Sequence, residues 1–429
     1  MATKSKFQAI RGTRDLLPPE TALWNRVEET ARQVFGTFGF GEIRPPIIEP
    51  TELFARAVGG DSDIVSKEMY TFEDRDESSA SLRPEATASV CRAYIEHGMQ
   101  QLPLPVKLYY MGPMFRRERP QKGRYRQFYQ IGAEVLGGSD APAIDAEVIE
   151  MVMTFFDRLQ LPGVQLEINS IGHNADNCRR GYVAQLKAAL EKVKDRLGAD
   201  SQRRMESNPL RVLDSKLEHE QPIIETLPRM ADHLCDDCKA HYAAVKRQLE
   251  MRGVLYRENW RLVRGLDYYM RTTFEITAQG LGSQNAVCGG GRYDGLVELL
   301  GGPPTKGIGF AIGEDRLILS LQAAQNQSPV TSRQSLDVFI AWMGEHAQAT
   351  AIRAAKDLRN AGFSVELPPI EQKFGKALER ASKLNSLYAL ILGDNEVAEG
   401  SWTLKTLADG SQRKFTEPAL LDFLKDSRD

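Results

Sequence analysis

The stretch around residue 120 concentrates positive charge. Six of the eleven residues from Arg116 to Arg126 are basic, and only Glu118 is acidic. Like charges this close repel one another unless an anion compensates them, and arginine binds phosphate and carboxylate groups through paired hydrogen bonds. A solvated charged loop is the ordinary alternative. We favour an anion site, because Arg116 and Glu118 share strand parity and are expected to face the same side as Phe128.

A carboxylate and a hydroxyl lie two residues apart in the segment Leu82–Thr87. Glu85 and Thr87, next to a proline turn, could together hold an ammonium group. Taken alone, however, the segment is better interpreted as the start of a helix, where a negative charge in the first turn is favourable.

An arginine and paired tyrosines form a third cluster, in Leu262–Tyr269. Arg264, a glycine that permits close backbone approach, and the two tyrosines Tyr268 and Tyr269 could line a pocket for a polar ring. A tyrosine-rich core strand is the structural alternative, but such a strand has no need of Arg264 and Asp267. The cluster therefore favours a binding site.

Glycines recur in two later segments, 289–295 and 307–313. Glycines at alternate positions leave one surface of a strand bare, so that a flat ligand could lie against the backbone. A pair of glycine-rich turns explains the composition equally well. Arg316 follows at the predicted start of a helix. The segment 289–295 lacks the Gly-Lys-Ser/Thr ending of a phosphate-binding loop.

Four potential zinc ligands are crowded into nine residues: His233, Cys235, Cys238 and His241. Zinc sites usually combine two ligand pairs that are distant in sequence. Because the usual second pair is absent, the pattern disfavours zinc, although metal binding by Cys235, Cys238 and His241 is left open. No Gly-x-Ser-x-Gly motif is present, so covalent nucleophilic hydrolysis is not indicated.

The basic residues of segment 116–126 lie between two predicted strands, and these strands must position them. Val106–Met111 and Gln127–Leu136 are rich in aromatic and branched residues, and they predict a long antiparallel hairpin. On one face of the second strand lie Phe128, Gln130 and Glu134, while the other face is apolar. A purely structural sheet would rarely carry an aromatic ring, an amide and a carboxylate together.

The remaining elements follow from periodicity. An apolar stripe predicts a helix from Pro18 to Phe38, followed by an edge strand at Glu42–Pro46. Charged helical sequence fills 171–255, and strand–helix alternation follows a polar linker. The predicted organisation is a sheet domain in two parts (1–170 and 256–325), a helical insertion (171–255), a linker (326–335) and a C-terminal α/β domain (336–429).

Composition bounds the class of protein. The 429 residues predict about three domains, and 42 % apolar with 26 % charged residues excludes fibrous and wholly disordered chains. With a formal charge of −3, any nucleic-acid surface must be a local patch. Five scattered cysteines indicate a reducing compartment. Neither a signal peptide nor an apolar run of membrane-spanning length is evident, so we expect a soluble, cytoplasmic protein with no membrane partner.

Together these motifs resemble class II aminoacyl-tRNA synthetases, and specifically the bacterial type of the histidyl-tRNA synthetase family, over nearly the whole chain. Pro46, Met114–Glu134 and Gly309–Leu317 resemble the three motifs of the class. Leu262–Tyr269 and Gly290–Asp294 resemble signatures that are selective for histidine enzymes. The resemblance implies an α+β and α/β multidomain fold: an antiparallel-sheet catalytic domain with a helical insertion, and a C-terminal α/β anticodon-binding domain.

The resemblance also implies which side chains bind the substrates. Those implied for histidine are Glu85, Thr87, Arg116, Gln130, Glu134, Arg264, Tyr268, Tyr269 and Tyr293. Those implied for ATP are Arg116, Glu118, Arg124, Phe128 and Arg316. Arg116 and Arg264 are the implied catalytic residues, because the first would bridge the histidine carboxylate and the α-phosphate, and the second would neutralise charge at that phosphate.

Within these sets each contact has an implied partner. The α-amino group would be held by Glu85, Thr87 and Gln130, and the imidazole by Glu134 with one or both of the paired tyrosines and Tyr293 nearby. Phe128 and Arg316 would sandwich the adenine, Glu118 would read its edge, and Arg124 would contact the outer phosphates.

The implied activity is the ATP-dependent activation of L-histidine to histidyl-adenylate and the transfer of histidine to tRNA(His). The implied ligands are ATP with Mg²⁺, L-histidine and tRNA(His). No prosthetic group is expected, and zinc is disfavoured. The resemblance further implies a homodimer, for which Pro46 and the preceding helix are the local support. A helical segment with Lys373, Lys376, Arg380 and Lys383 is assigned to tRNA by resemblance alone.

Two other functions compete with this one. A synthetase-like regulatory subunit that senses histidine would typically resemble only the catalytic core, whereas here the C-terminal α/β segment is present with Arg264 and Arg316 intact. An ATP-dependent ligase for another amino acid is disfavoured by Leu262–Tyr269.

Overall fold

The structure, a computed structural model, describes residues 7–59, 62, 64–266, 268–281, 285–325 and 336–427. The predicted linker 326–335 and Asp267 lie outside the described residues. Among the described residues there are two compact units. One contains residues 7–16 and 23–325, and the other contains residues 336–427 together with Leu17–Ala22. Within the described part of the chain, no helix is long and apolar enough to cross a membrane.

The elements up to residue 325 are as follows. The strands are β1 (Gly41–Glu42), β2 (Ile48–Pro50), β3 (Tyr70–Glu73), β4 (Ser79–Leu82), β5 (Val106–Phe115), β6 (Gln127–Leu136), β7 (Gln165–Ser170), β8 (Arg257–Glu258), β9 (Met270–Thr277), β10 (Ala286–Arg292) and β11 (Gly307–Gly313). The α-helices are α1 (Glu20–Thr37), α2 (Thr51–Val58), α3 (Thr87–Glu96), α4 (Pro142–Arg158), α5 (Arg179–Glu191), α6 (Ala199–Ser207), α7 (Gln221–Ile224), α8 (Asp236–Met251), α9 (Leu296–Leu299) and α10 (Glu314–Gln325).

The predicted hairpin is confirmed. Strands β5 and β6 pair antiparallel from Val106 opposite Leu136 to Phe115 opposite Gln127. Strand β5 runs four residues beyond the predicted end, through Pro113. Proline is tolerated there because β1 pairs with β5 only at Leu108 and Tyr109, so Pro113 faces no strand on its outer side.

The hairpin belongs to an eight-stranded sheet of order β1-β5-β6-β11-β10-β9-β7-β8. All neighbours pair antiparallel except the two edge pairs, β1 with β5 and β7 with β8. This order places β6 next to β11 and β10 next to β9. The motifs around residues 130, 275, 290 and 310 therefore become neighbours, although they are far apart in the sequence.

The two faces of this sheet have different roles, as the alternation along β6 predicted. Ile131, Ala133 and Val135 are buried in a core shared with α1, α4 and α10. Helix α1 begins at Glu20, two residues after the predicted start at Pro18, and its apolar stripe faces this core. The opposite face packs against α2, α3 and α9 near the end of β6, where Leu136 is buried. That face also carries the even-numbered polar residues of β6.

The segment between β7 and β9 is mainly helical and has its own hydrophobic core. Tyr182, Leu186 and Leu190 of α5 are buried there with Cys238 from the first turn of α8. The second half of α8 instead packs into the core of the large sheet through Val245 and Leu249, alongside α4. Helix α8 therefore joins the helical segment to the sheet.

The second unit is an α/β domain. Its strands are β12 (Val338–Met343), β13 (Val365–Glu366), β14 (Tyr388–Gly393), β15 (Trp402–Thr406) and β16 (Gln412–Phe415), and its helices are α11 (Glu345–Asn360), α12 (Phe374–Lys383), α13 (Asp394–Ala398) and α14 (Glu417–Asp426). The order β13-β12-β14-β15-β16 contains a parallel trio followed by two antiparallel strands. The predicted alternation is confirmed for the trio and its helices, whereas β15 and β16 were not predicted.

Candidate active site

A cavity of about 300 Å³ lies on the polar face of the large sheet. Every predicted site residue lines it except Glu134 and Tyr293. Those that do are Glu85, Thr87, Arg116, Glu118, Arg124, Phe128, Gln130, Arg264, Tyr268, Tyr269 and Arg316. The structure thus brings together side chains from four segments that were separate in the sequence.

Glu85 both begins a helix and faces the cavity, the two alternatives that its sequence context suggested. Its carboxylate accepts hydrogen bonds from the backbone N–H groups of Thr87 at 2.6 Å and Ala88 at 3.0 Å, and so caps α3. The same side chain lines the cavity. Burial raises the pKa of Glu85, and the backbone donors, the Thr87 hydroxyl and the charge of Arg116 oppose that shift.

Glu134 lies one layer behind the cavity wall. Its carboxylate accepts a hydrogen bond from the Thr87 hydroxyl at 2.7 Å and another from the Tyr293 hydroxyl at 2.6 Å. Burial raises the pKa of Glu134 to about 8, although both hydroxyl donors stabilise the charged form. Tyr293 contacts Tyr268 edge to face, with ring centroids 5.8 Å apart. The buried acid is therefore connected to the lining through Thr87 and Tyr268.

The basic cluster is organised around Phe128 and Glu118. The Arg116 guanidinium lies 5.2 Å from the centre of the Phe128 ring, and its Nε donates to the carbonyl oxygen of Pro84 at 2.9 Å. Glu118 lies 3.9 Å from Arg116 and 3.6 Å from Arg124. A single carboxylate therefore faces two guanidinium groups at the cavity, which leaves positive charge for an anionic ligand.

Arg316 enters the same part of the cavity from the start of α10. Its guanidinium donates to the carbonyl oxygens of Ala286 at 3.1 Å and Gly123 at 3.3 Å. Burial lowers the pKa of Arg316, and the charge of Arg124 lowers it further. An anion bound between these arginines would relieve their repulsion.

Arg264 lines a different part of the cavity from Arg116, Arg124 and Arg316. Its Nη1 donates to Glu275 at 3.1 Å, and its guanidinium lies 5.7 Å from the centre of the Tyr269 ring. The buried Nε of Arg264 has no hydrogen-bond partner among the described residues. The buried Oε1 of Gln130 is likewise unpaired within the described part of the chain. Unpaired buried polar atoms beside a cavity are groups that a ligand can satisfy.

Two glycines of the glycine-rich strands β10 and β11 lie against side chains of neighbouring elements. A Cβ on Gly289 would overlap the Arg264 guanidinium, and a Cβ on Gly309 would overlap the Glu134 carboxylate. Glycine at these two positions therefore leaves room for functional side chains of neighbouring elements. That a flat ligand lies against the bare strand surface stays a prediction, and Gly289 and Gly313 do line the cavity.

Glu275 and Tyr110 are among the lining residues that sequence reasoning did not assign to the site. Glu275 lies between the buried residues Phe274 and Ile276 on β9, so an acid inside an apolar strand was the available signal. Its pairing with Arg264 depends on the loop 262–269, whose path the sequence pattern does not give. Tyr110 is accommodated by Gly132, where a Cβ would overlap its hydroxyl.

Metal binding by Cys235, Cys238 and His241 was left open by the sequence, and in the structure His241 does not belong to the group of potential ligands that contains the two cysteines. His241 contacts the carbonyl oxygen of Asp140 at 3.1 Å, away from the cysteines. Cys235 and Cys238 lie instead beside His173 and Cys178, which come from a different segment.

This chain is similar to known proteins along nearly its whole length. A family model described as histidyl-tRNA synthetase matches residues 12–317, and one described as an anticodon binding domain matches residues 337–427. The histidine–tRNA ligase of Solibacter usitatus (strain Ellin6076) is 55 % identical over 411 residues, which is 96 % of this chain and 97 % of the relative. The histidine–tRNA ligase of Koribacter versatilis (strain Ellin345) is 52 % identical over 98 % of this chain and 96 % of the relative.

The chain belongs to the histidyl-tRNA synthetase family. The crystal structure of the apo histidyl-tRNA synthetase of S. aureus has a TM-score of 0.81 and 36 % identity, and the match covers 98 % of this chain and 100 % of that one. Membership of the histidyl-tRNA synthetase family makes the chain an enzyme, a class II aminoacyl-tRNA synthetase, and confirms the predicted fold class. The anticodon-binding match also accounts for the C-terminal α/β unit.

Proposed function

We propose that this chain activates L-histidine with ATP to form histidyl-adenylate, and then transfers histidine to the 3′ end of tRNA(His). The observation that carries the proposal is the composition of the cavity. Arginines and an aromatic ring line one part, while carboxylates, an amide and phenols line another. A nucleotide suits the first part and a small heterocyclic amino acid suits the second.

Adenylate formation is an in-line displacement at phosphorus. A carboxylate oxygen of histidine forms a bond to the α-phosphorus of ATP, and the bond from that phosphorus to the bridging oxygen breaks, so that pyrophosphate leaves with the electron pair. Because the nucleophile is already an anion, no general base is required. Catalysis then depends on positioning and on cations near the developing charge, which Arg116 and Arg264 supply.

The arginine-rich part of the cavity takes the nucleotide. Adenine stacks between Phe128 and Arg316, Glu118 accepts a hydrogen bond from the exocyclic amine, and Arg124 contacts the outer phosphates. Support comes from the position of these side chains around one cavity. Arg116 lies over the Phe128 ring, where adenine is proposed to stack, so adenine binding requires Arg116 to turn toward the α-phosphate. Mg²⁺ arrives with ATP as part of the substrate.

The other part takes histidine. Glu85, Thr87 and Gln130 hold the α-ammonium group, for which the unpaired Oε1 of Gln130 is a ready acceptor. Tyr268 and Tyr269 line the place of the imidazole, and Glu134 accepts a hydrogen bond from one ring N–H. A carboxylate has about four lone-pair positions, so Glu134 can bind the ring while it keeps its two hydroxyl donors.

The proposed function also implies binding partners and a location. The C-terminal unit binds the anticodon of tRNA(His), and the basic loop 119–126 approaches the acceptor end. Two copies associate through the region after α1, where Ile47 is 41 % and Ile48 is 53 % exposed in the single chain. The cytoplasm is the proposed location, and the proposed domain boundaries are those predicted from the sequence.

The competing function is histidine sensing by a catalytically inactive relative. Arg264 and Arg316 line the cavity, and a sensor that performs no adenylation would have no need of cations placed for a triphosphate. The presence of the anticodon-binding unit also favours the enzyme.

A pyrophosphate exchange assay tests the proposal. The purified protein is expected to incorporate labelled pyrophosphate into ATP only when histidine is supplied, because the site holds a donor and an acceptor for an imidazole and leaves them unpaired with any other side chain. Each of the other amino acids serves as a control. Histidine binding without exchange would support the sensor, and equal exchange with another amino acid would contradict the assigned specificity.

A further inference from the structure

Four side chains that the adenylation chemistry does not use converge at one point in the helical segment. They are His173, Cys178, Cys235 and Cys238, and their ligand atoms all lie within 4.8 Å of one another. The Nδ1 atom of His173 is 3.1 Å from the Cys238 sulfur and 3.7 Å from the Cys235 sulfur. All of the cysteines are free thiols, so no disulfide explains the grouping.

Three parts of the chain supply these four groups. His173 lies just after β7, Cys178 directly precedes α5, and Cys235 directly precedes α8 with Cys238 in the first turn of that helix. The starts of α5 and α8 therefore present sulfur atoms to one point, and the His173 imidazole completes the group.

The backbone around the cluster is shaped to hold it. Gly172 has a φ of +61°, and a Cβ at that position would come within 2.6 Å of the Cys178 sulfur. The loop is tied by hydrogen bonds from Ala175 N to His173 O at 2.8 Å and from Cys178 N to Ala175 O at 3.0 Å. Gly172 thus provides the turn and the space that bring Cys178 next to His173.

We propose that His173, Cys178, Cys235 and Cys238 bind one Zn²⁺ ion in a closed tetrahedral site. With Zn–S bonds of about 2.3 Å and a Zn–N bond of about 2.0 Å, the ligand atoms of such a site lie roughly 3.5 to 3.8 Å apart. The distances from the His173 nitrogen are close to that spacing. Three thiolates and an imidazole are soft ligands that select zinc over magnesium or calcium.

The ion has a structural role. Four protein ligands leave no open position for a substrate, which is the mark of a structural zinc site. Its ligands come from the residues after β7 and from the starts of α5 and α8. The ion therefore links the helical segment to the large sheet. The neighbouring Arg179 donates to the carbonyl oxygen of Tyr269, and Arg271 N donates to Gly172 O at 2.8 Å. The site therefore also supports the segment that carries Tyr269.

Metal analysis of the full-length protein tests the proposal. We expect untagged wild-type protein, purified without chelators, to contain about one zinc ion per chain when its metal content is measured by inductively coupled plasma mass spectrometry. Replacing zinc with Co²⁺ should give the visible bands of a tetrahedral ion and a near-ultraviolet thiolate-to-cobalt band. Cys238→Ser and His173→Ala should lose most of the bound metal, whereas Cys91→Ser, at a buried cysteine elsewhere, should keep it.

The wild-type measurement decides the matter even where a variant fails to fold. Reduced wild-type protein that contains no zinc and takes up neither Zn²⁺ nor Co²⁺ would overturn the proposal. Full zinc content in Cys238→Ser would also overturn the proposal. So would a stable disulfide between Cys235 and Cys238 in protein purified from cells with a reducing cytoplasm. None of these outcomes depends on aminoacylation activity.

Discussion

Replacing Arg264 by alanine is expected to lower the rate of histidine-dependent pyrophosphate exchange by about 10³-fold or more, an effect of the size seen when an arginine that stabilises a phosphoryl-transfer transition state is removed. Arg264 has a buried Nε without a partner among the described residues and is held at the cavity by Glu275. The dissociation constant for histidine should change little, because the other proposed contacts to histidine remain.

Two further variants make the Arg264 experiment specific. Arg264→Lys should be nearly as inactive, since a lysine cannot reproduce the planar, two-pronged donation of a guanidinium. Arg261→Ala removes a partly buried arginine three residues earlier that bonds within the helical segment, to Leu213 O and Gln221, and should retain exchange. Exchange by Arg264→Ala at a rate close to wild type, or a parallel loss in Arg261→Ala, would contradict the catalytic assignment.

Replacing Glu134 by glutamine is expected to weaken histidine binding by roughly 10- to 100-fold, which corresponds to leaving one buried polar group without its hydrogen-bond partner, with a smaller effect on ATP binding. The amide keeps the size of the side chain, but its nitrogen cannot accept the hydroxyl hydrogen bonds of both Thr87 and Tyr293. Isothermal titration with each substrate separately measures both affinities. A larger loss for ATP than for histidine would contradict the pocket assignment.

The pH dependence of thermal stability provides the control for Glu134→Gln. Burial raises the folded-state pKa of Glu134 from 4.5 to about 8, so folding favours the protonated form, and this contribution to stability falls as the pH rises from about 4.5 and is lost by about pH 8. The amide does not ionise. The melting temperature of the variant, relative to wild type, should therefore increase between pH 6 and pH 8 and change no further above that pH. Tyr293→Phe, which removes one donor to Glu134, should weaken histidine binding less.

The hairpin shows how much of this site the sequence could predict. Alternation along Gln127–Leu136 was enough to separate Ile131, Ala133 and Val135 from Phe128, Gln130 and Glu134, because a strand with one buried face fixes its own parity. The structure places the first set in the core and directs two of the second set to the cavity. Glu134 lies behind the wall, and its distance from the cavity depends on packing against Thr87 that no period reveals.

Features that depend on contacts between distant strands could not be predicted. The glycines at 289 and 309 were visible, but their purpose depends on which side chains of neighbouring elements lie against them. The members of the cysteine cluster could not be predicted for the same reason. Cys235 and Cys238 were recognised as a pair, whereas His173 and Cys178 have a spacing that is not a common zinc motif. Only the fold brings that second pair to the start of α8.

A crystal structure with histidine and a non-hydrolysable ATP analogue tests the central assignment most directly. The expected result is one cavity that holds both molecules, with the imidazole within hydrogen-bond distance of Glu134, and with the α-phosphate contacted by the guanidinium groups of Arg116 and Arg264. Histidine or the nucleotide bound elsewhere, or Arg264 directed away from the α-phosphate while both molecules are bound, would contradict the assignment.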